Sequence, residues 1–140
     1  MNLRPHSIAL PVALPPAGSA ARQLALGRVG FATAFLAAPV PALRALGADT
    51  ATAQRVSWLT RMMAVRDGAL GAGALLADRR GGDPRPWLVA GAVSDAVDAA
   101  AFAGALKQGR LKGVAPTLLV PGAVVAAGFG LLTAARLKRR

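Results

Sequence analysis

The chain has 140 residues, of which 54% are hydrophobic and only 16% charged, with seventeen Lys or Arg against six Asp and a net charge of +11. One domain is the most this length supports, and the charged share, well under the roughly 25% of soluble domains, is too small to cover the outside of a soluble bundle. Cys is absent and His6 is the single histidine, which excludes thiolate chemistry, disulfides, the common zinc sites and a Ser–His pair. No catalytic residue, metal ligand or cofactor is therefore expected, and the chain does not read as an enzyme.

The position of the positive charge decides its meaning. Aromatic residues make up 4% of the chain and do not interleave with the basic ones, so no nucleic-acid partner is expected. Lys and Arg fall mainly in short clusters between apolar runs, as in membrane loops that face anionic headgroups. With a mean hydropathy of +0.46, the lipid bilayer is the expected partner of most of the surface.

In chain order, residues 1–19 hold Pro5, Pro11, Pro15 and Pro16, too many for a helix interior, and are predicted to be a flexible tail. Arg4 before a short apolar stretch suggests a signal peptide, but the prolines interrupt that stretch. Four apolar segments follow, at residues 20–38, 56–77, 87–106 and 114–135. Each is near the roughly 20 residues that a spanning helix needs. Pro39 and Pro41 end the first, and the short stretch from Ala42 to Leu46 is expected at the membrane interface. The turn-rich run DRRGGDPRP joins the second to the third, and residues 136–140 form a basic tail. The expected fold is all-α, a four-helix transmembrane bundle.

Small residues recur at every fourth position of each segment. The seams are Gly30, Ala34 and Ala38; Ala64, Gly68 and Ala72; Ala92, Ala96, Ala100 and Gly104; and Gly122, Ala126, Gly130 and Ala134. Such seams let helices approach closely where lipid removes the hydrophobic drive. A homo-oligomer through the fourth segment, or a partner subunit in the membrane, is the expected use of an outward seam. Orientation follows from the basic residues outside the segments. Nine (Arg4, Arg22, Arg79, Arg80, Arg85, Arg136, Lys138, Arg139, Arg140) share a side against five (Arg44, Arg55, Lys107, Arg110, Lys112). This predicts a bacterial inner-membrane protein with both termini cytoplasmic.

Six charges lie inside the apolar segments, Arg28, Arg61, Arg66, Asp67, Asp95 and Asp98, and they sum to zero. Each costs roughly 2.5–3.5 kcal/mol at a helix centre unless opposite charges meet. If the second and third segments form an antiparallel hairpin, Arg66 lies eleven residues before Ala77 and Asp98 eleven after Trp87. Both are then about 16 Å from the loop end, at one depth near the middle of the bilayer. Asp95 and Asp98, three apart, share a face. Arg66 and Asp67 point about 100° apart and face different helices. Arg66 is expected to meet Asp98 or Asp95, and Asp67 to face Arg28. Arg61, nearer the segment end, is expected to snorkel to the interface, with Trp58 and Trp87 as interfacial anchors.

The pattern resembles a family of small four-helix bacterial integral membrane proteins of uncharacterised activity, grouped as a domain of unknown function. The matching residues are LGR at Leu26–Arg28, TRM at Thr60–Met62, VRD at Val65–Asp67, LGAG at Leu70–Gly73, and then Trp87, Gly91, Asp95 and Asp98. A glycine is common in that family where Ala64 stands here. The resemblance covers about residues 24–135 and implies a four-helix fold in the inner membrane, with no activity to carry over. The expectation is a non-enzymatic accessory or scaffold bundle, its buried Arg/Asp network setting which helices are neighbours. The alternative is a small proton- or cation-coupled transporter that uses the mid-membrane aspartates.

Overall fold

The computed structural model describes residues 14–109 and 114–138. It contains α1 (Ala17–Ala37), α2 (Pro39–Ala45), α3 (Thr50–Arg79), α4 (Arg85–Lys107) and α5 (Val114–Arg136), and no strand among the described residues. Most of the predicted tail, with Arg4 and His6, lies outside these residues, as do Arg110, Lys112, Arg139 and Arg140.

Helix boundaries differ from the sequence expectation: α1 already starts at Ala17, inside the stretch expected as a tail. Pro39 ends α1 and also opens α2, because a first helical residue needs no N–H donor. The chain turns through 117° there. Helix α3 starts at Thr50 rather than near residue 56, and its N-cap Asp49 accepts hydrogen bonds from Thr52 N at 2.9 Å and Thr52 Oγ1 at 2.7 Å. A helix ends where its backbone groups find other partners, not where hydropathy changes. At 30 residues, α3 is about 45 Å long, half as long again as the roughly 30 Å hydrocarbon layer. Its far end closes on Gly81 (φ +71°), with Gly81 N donating to Asp78 O at 3.0 Å and Gly82 N to Ala77 O at 2.8 Å. This paired pattern satisfies the last carbonyls and needs the left-handed conformation that glycine adopts freely.

The four long helices form a ring, with α1 packed closely on α3 and α4 closely on α5. Thinner contacts between α3 and α4 and between α1 and α5 complete it, while α1 and α4 stand across the centre from each other. Helix α2 folds over α3. One end gathers Ala21, Leu88 and Ala134 with Leu24 and Leu137; the other gathers Ala32, Phe35 and Ala64 beneath Ala42 and Leu43 of α2.

The small-residue seams need correction. Gly30, Ala34, Ala38, Ala72, Ala96 and Ala100 are exposed, and added Cβ atoms at Gly104 and Gly122 would meet open space. A strict four-residue step turns 400° and so drifts about 40° each time, leaving the contact face after two steps. The buried positions instead alternate by threes and fours: Ala21, Ala25, Ala32 and Phe35 on α1, and Thr60, Ala64, Gly71 and Ala74 on α3. On α4 they are Leu88, Gly91, Ala92, Asp95 and Ala99. Such a spacing keeps one stripe on the partner. Ala64, Ala92, Gly130 and Ala134 belong to both patterns and are buried. The tightest approach to another helix's backbone is at Gly71, where a Cβ would lie 2.6 Å from Ala25 O.

Two helices are long and apolar enough to cross a membrane, α4 (Arg85–Lys107) and the Leu119–Arg136 stretch of α5; α1 and α2 make a third if the bent pair is one crossing. Helix α3 does not qualify by composition.

Candidate functional site

The gaps in the core stripes are filled by charge. On α1, Arg28 stands between Ala25 and Ala32; on α3, Asp67 stands between Ala64 and Gly71; on α4, Asp95 is itself a core position. All three therefore point to the bundle centre. Arg66 and Asp98 sit beside that stripe, facing each other across the α3/α4 contact.

Two guanidiniums organise three carboxylates. Arg28 Nη1 donates to Asp67 Oδ1 at 3.1 Å, and Arg28 Nη2 donates to Asp95 Oδ2 across the ring. Arg66 makes a two-pronged pair with Asp98, Nη1 to Oδ1 at 3.1 Å and Nη2 to Oδ2 at 2.6 Å. Its Nη2 also approaches Asp67 Oδ1 at 3.4 Å, a long contact that links the two halves. The two-pronged form matches the planar guanidinium fork. The side chains of Arg28, Asp67, Asp95 and Asp98 are 18, 13, 12 and 19% exposed, and Arg66 is 34% exposed. Arg66 Nε is buried without a hydrogen-bond partner.

Asp95 thus pairs with Arg28 and not with Arg66, the partner the sequence left open for it. Helix neighbours alone do not suggest this, because α1 and α4 are not adjacent in the ring. Gly91 makes the reach possible: a Cβ there would lie 2.8 Å from Arg28 Nη2 and 2.9 Å from its Cζ. The guanidinium rests on bare backbone. Gly91 lies one turn before Asp95 on the same face, and that spacing was the available signal for its role.

Arg61 is exposed and takes no part in the network. Its departure changes the charge sum, since the six segment charges balanced only with Arg61 included. The set that meets is two positive and three negative. Trp58 is 62% exposed and, with α3 starting at Thr50, stands two turns inside the helix rather than at its end. Trp87 lies against Gly73, where a Cβ would come within 2.4 Å of its ring.

Among the described residues, no group of three or more His, Cys, Asp or Glu is placed to hold a metal ion. Away from the centre, Asp83 and Arg85 pair at 2.5 Å beside the α3–α4 turn. No family model, curated protein or solved structure matches the chain.

Proposed function

We propose that the protein is a four-crossing inner-membrane bundle, its central Arg/Asp network acting as a fastener between two helix pairs, and that it serves as a non-enzymatic accessory or scaffold subunit. The observation that carries this reading is the two-sided character of α3. Its outward positions Trp58, Leu59, Met62, Val65 and Leu76 are exposed and apolar, whereas Arg66 and Asp67 meet partners inside. Averaged over its length α3 is too charged to cross lipid, but the solvent meets only the outward face. Paired inside, each charge avoids most of the roughly 2.5–3.5 kcal/mol that it would cost alone at mid-membrane.

The remaining surface supports the same setting. Val93, Val97, Val125 and Leu131 are at least half exposed on α4 and α5, the kind of apolar side chain that lipid covers. Arg22, Arg79, Arg80, Arg85, Arg136 and Lys138 lie at one end, whereas Arg44, Arg55 and Lys107 lie at the other. The richer end is then cytoplasmic, with both termini. Arg61 and Trp58 anchor the opposite interface and Trp87 the cytoplasmic one. Residues before Trp58 carry α3 out of the membrane. The resemblance to small four-helix membrane proteins agrees with this reading and adds no activity.

The experiment is a charge exchange. Arg66→Asp and Asp98→Arg should each reduce folded protein in the membrane, and the double variant should restore it. If Asp98→Asn leaves the amount unchanged but stops a pH-dependent flux, the fastener reading fails and the second reading, a small proton- or cation-coupled transporter, replaces it. One observation favours that second reading: three carboxylates face two guanidiniums.

A further inference from the structure

We infer that a second copy of the chain docks on the α3/α4 seam, where the Arg66–Asp98 pair opens to the outside of the ring. This rests on the four-crossing reading and adds a partner to it. Arg66 is the most exposed member of the network, at 34%. Its neighbours on α3 show which way it opens: Met62, one turn before it, is 62% exposed, and Ala69, three residues after it, is exposed. On α4, Val97 and Ala101, on either side of Asp98, are exposed as well. The contact between the two helices is thin, and the small side chains of Ala69 and Ala101 leave room for another backbone beside the pair. Lipid tails neither donate nor accept hydrogen bonds, so a charge that meets them at mid-depth is costly. A polar protein surface at the same depth removes that cost.

The occupant is a second copy because the pair is its own complement. Copies inserted in one orientation close on each other about a two-fold axis along the membrane normal. Across such an axis α3 of one copy faces α4 of the other. Arg66 then stands opposite Asp98 of the second copy, and Asp98 opposite its Arg66. Both contacts form at once, since the two residues share one depth. The α5 seam expected to join copies is in part occupied within the protomer. Ala134 is buried with Ala21 and Leu88, and a Cβ at Gly130 would lie 3.2 Å from Ala92 Cβ.

The test is selective self-association of the full chain in lipid vesicles. Chains carrying Ala51→Cys are labelled with a donor or an acceptor dye, and energy transfer is followed as added lipid dilutes them. Parent chains should associate specifically. So should chains with Arg66→Asp and Asp98→Arg together, whose exchanged charges are again complementary. Parent and exchanged chains should associate with each other at least about tenfold more weakly, because like charges then meet at both contacts. Equal association of the mixed chains overturns the inference, as does parent transfer no greater than chance encounter gives. If the exchanged chain does not fold, Ala101→Trp takes its place: the bulky side chain leaves the pair untouched and should abolish transfer, whereas Val125→Trp on α5 should preserve it. The reverse result puts the contact on α5 and overturns the inference. Parent chains that stay single while α3 still crosses the membrane remove the docking surface alone, and the four-crossing reading stands.

Discussion

Along the α1/α3 contact, backbone meets backbone: Gly71 leaves no room for a Cβ beside Ala25 O, and Gly68 would press on Ala32. Along the α3/α4 contact packing is thinner, and the Arg66–Asp98 pair bridges it. The first contact is shape and depends on the absence of side chains. The second is charge and depends on the presence of long ones. Dispersion falls off steeply with distance and fixes only surfaces already in contact, whereas an ion pair reaches across a gap and selects one register, because any other leaves a charge unpaired. Two tightly packed helix pairs joined by such a fastener follow from this division.

The largest effect should come from the residue that serves both halves. Arg28→Leu leaves Asp67 and Asp95 without their shared partner and should cost about 3–5 kcal/mol, read as lost thermal stability in detergent. Gly91→Ala should cost less, about 1.5–3 kcal/mol, because it displaces the guanidinium from Asp95 while Asp67 stays in reach. On the packing side, Gly71→Ala should destabilise by about 1–3 kcal/mol through overpacking. Gly104→Ala, which meets open space inside α4, should not destabilise and should gain about 0.5–1 kcal/mol from helix propensity. If Gly71→Ala were as mild as Gly104→Ala, the contrast between the two contacts would fail.

The smallest effect concerns the start of α3. The Thr52 hydroxyl, followed by the Thr52 N–H, holds the Asp49 carboxyl below its ordinary value. A depressed acid stabilises the folded form above its unfolded value and loses that contribution as pH falls through the folded one. Acidification below the ordinary carboxylate range should therefore fray the first turn of α3. Faster amide exchange at Thr52 and Ala53, with the centre of α3 unaffected, is the expected reading.

Much of the arrangement was legible in the sequence because helical geometry is rigid. Equal counts from the α3–α4 turn put Arg66 and Asp98 at one depth, and the 100° step sent Asp67 elsewhere. The partner of Asp95 was not legible, since it depends on Gly91 exposing backbone at the ring centre, a property of three helices together. The four-residue seams misled for a similar reason: composition supplies alanine everywhere, and only packing selects the stripe. Counting charge along the segments balanced the sum with Arg61, but an arginine on the outward side of a helix cannot compensate the inside. Hydropathy also hid the first turns of α3, where Asp49 and Thr52 give a capping signal in a polar stretch.

The absence of cysteine makes one measurement direct. Ala51→Cys and Arg80→Cys stand at the two ends of α3, the helix whose proposed crossing depends on buried charge pairs, and both sites are exposed. In intact cells a membrane-impermeant thiol reagent should label Ala51→Cys and should reach Arg80→Cys only after the membrane is opened. Labelling of both positions from the same side would contradict the claim that paired charges carry α3 through lipid.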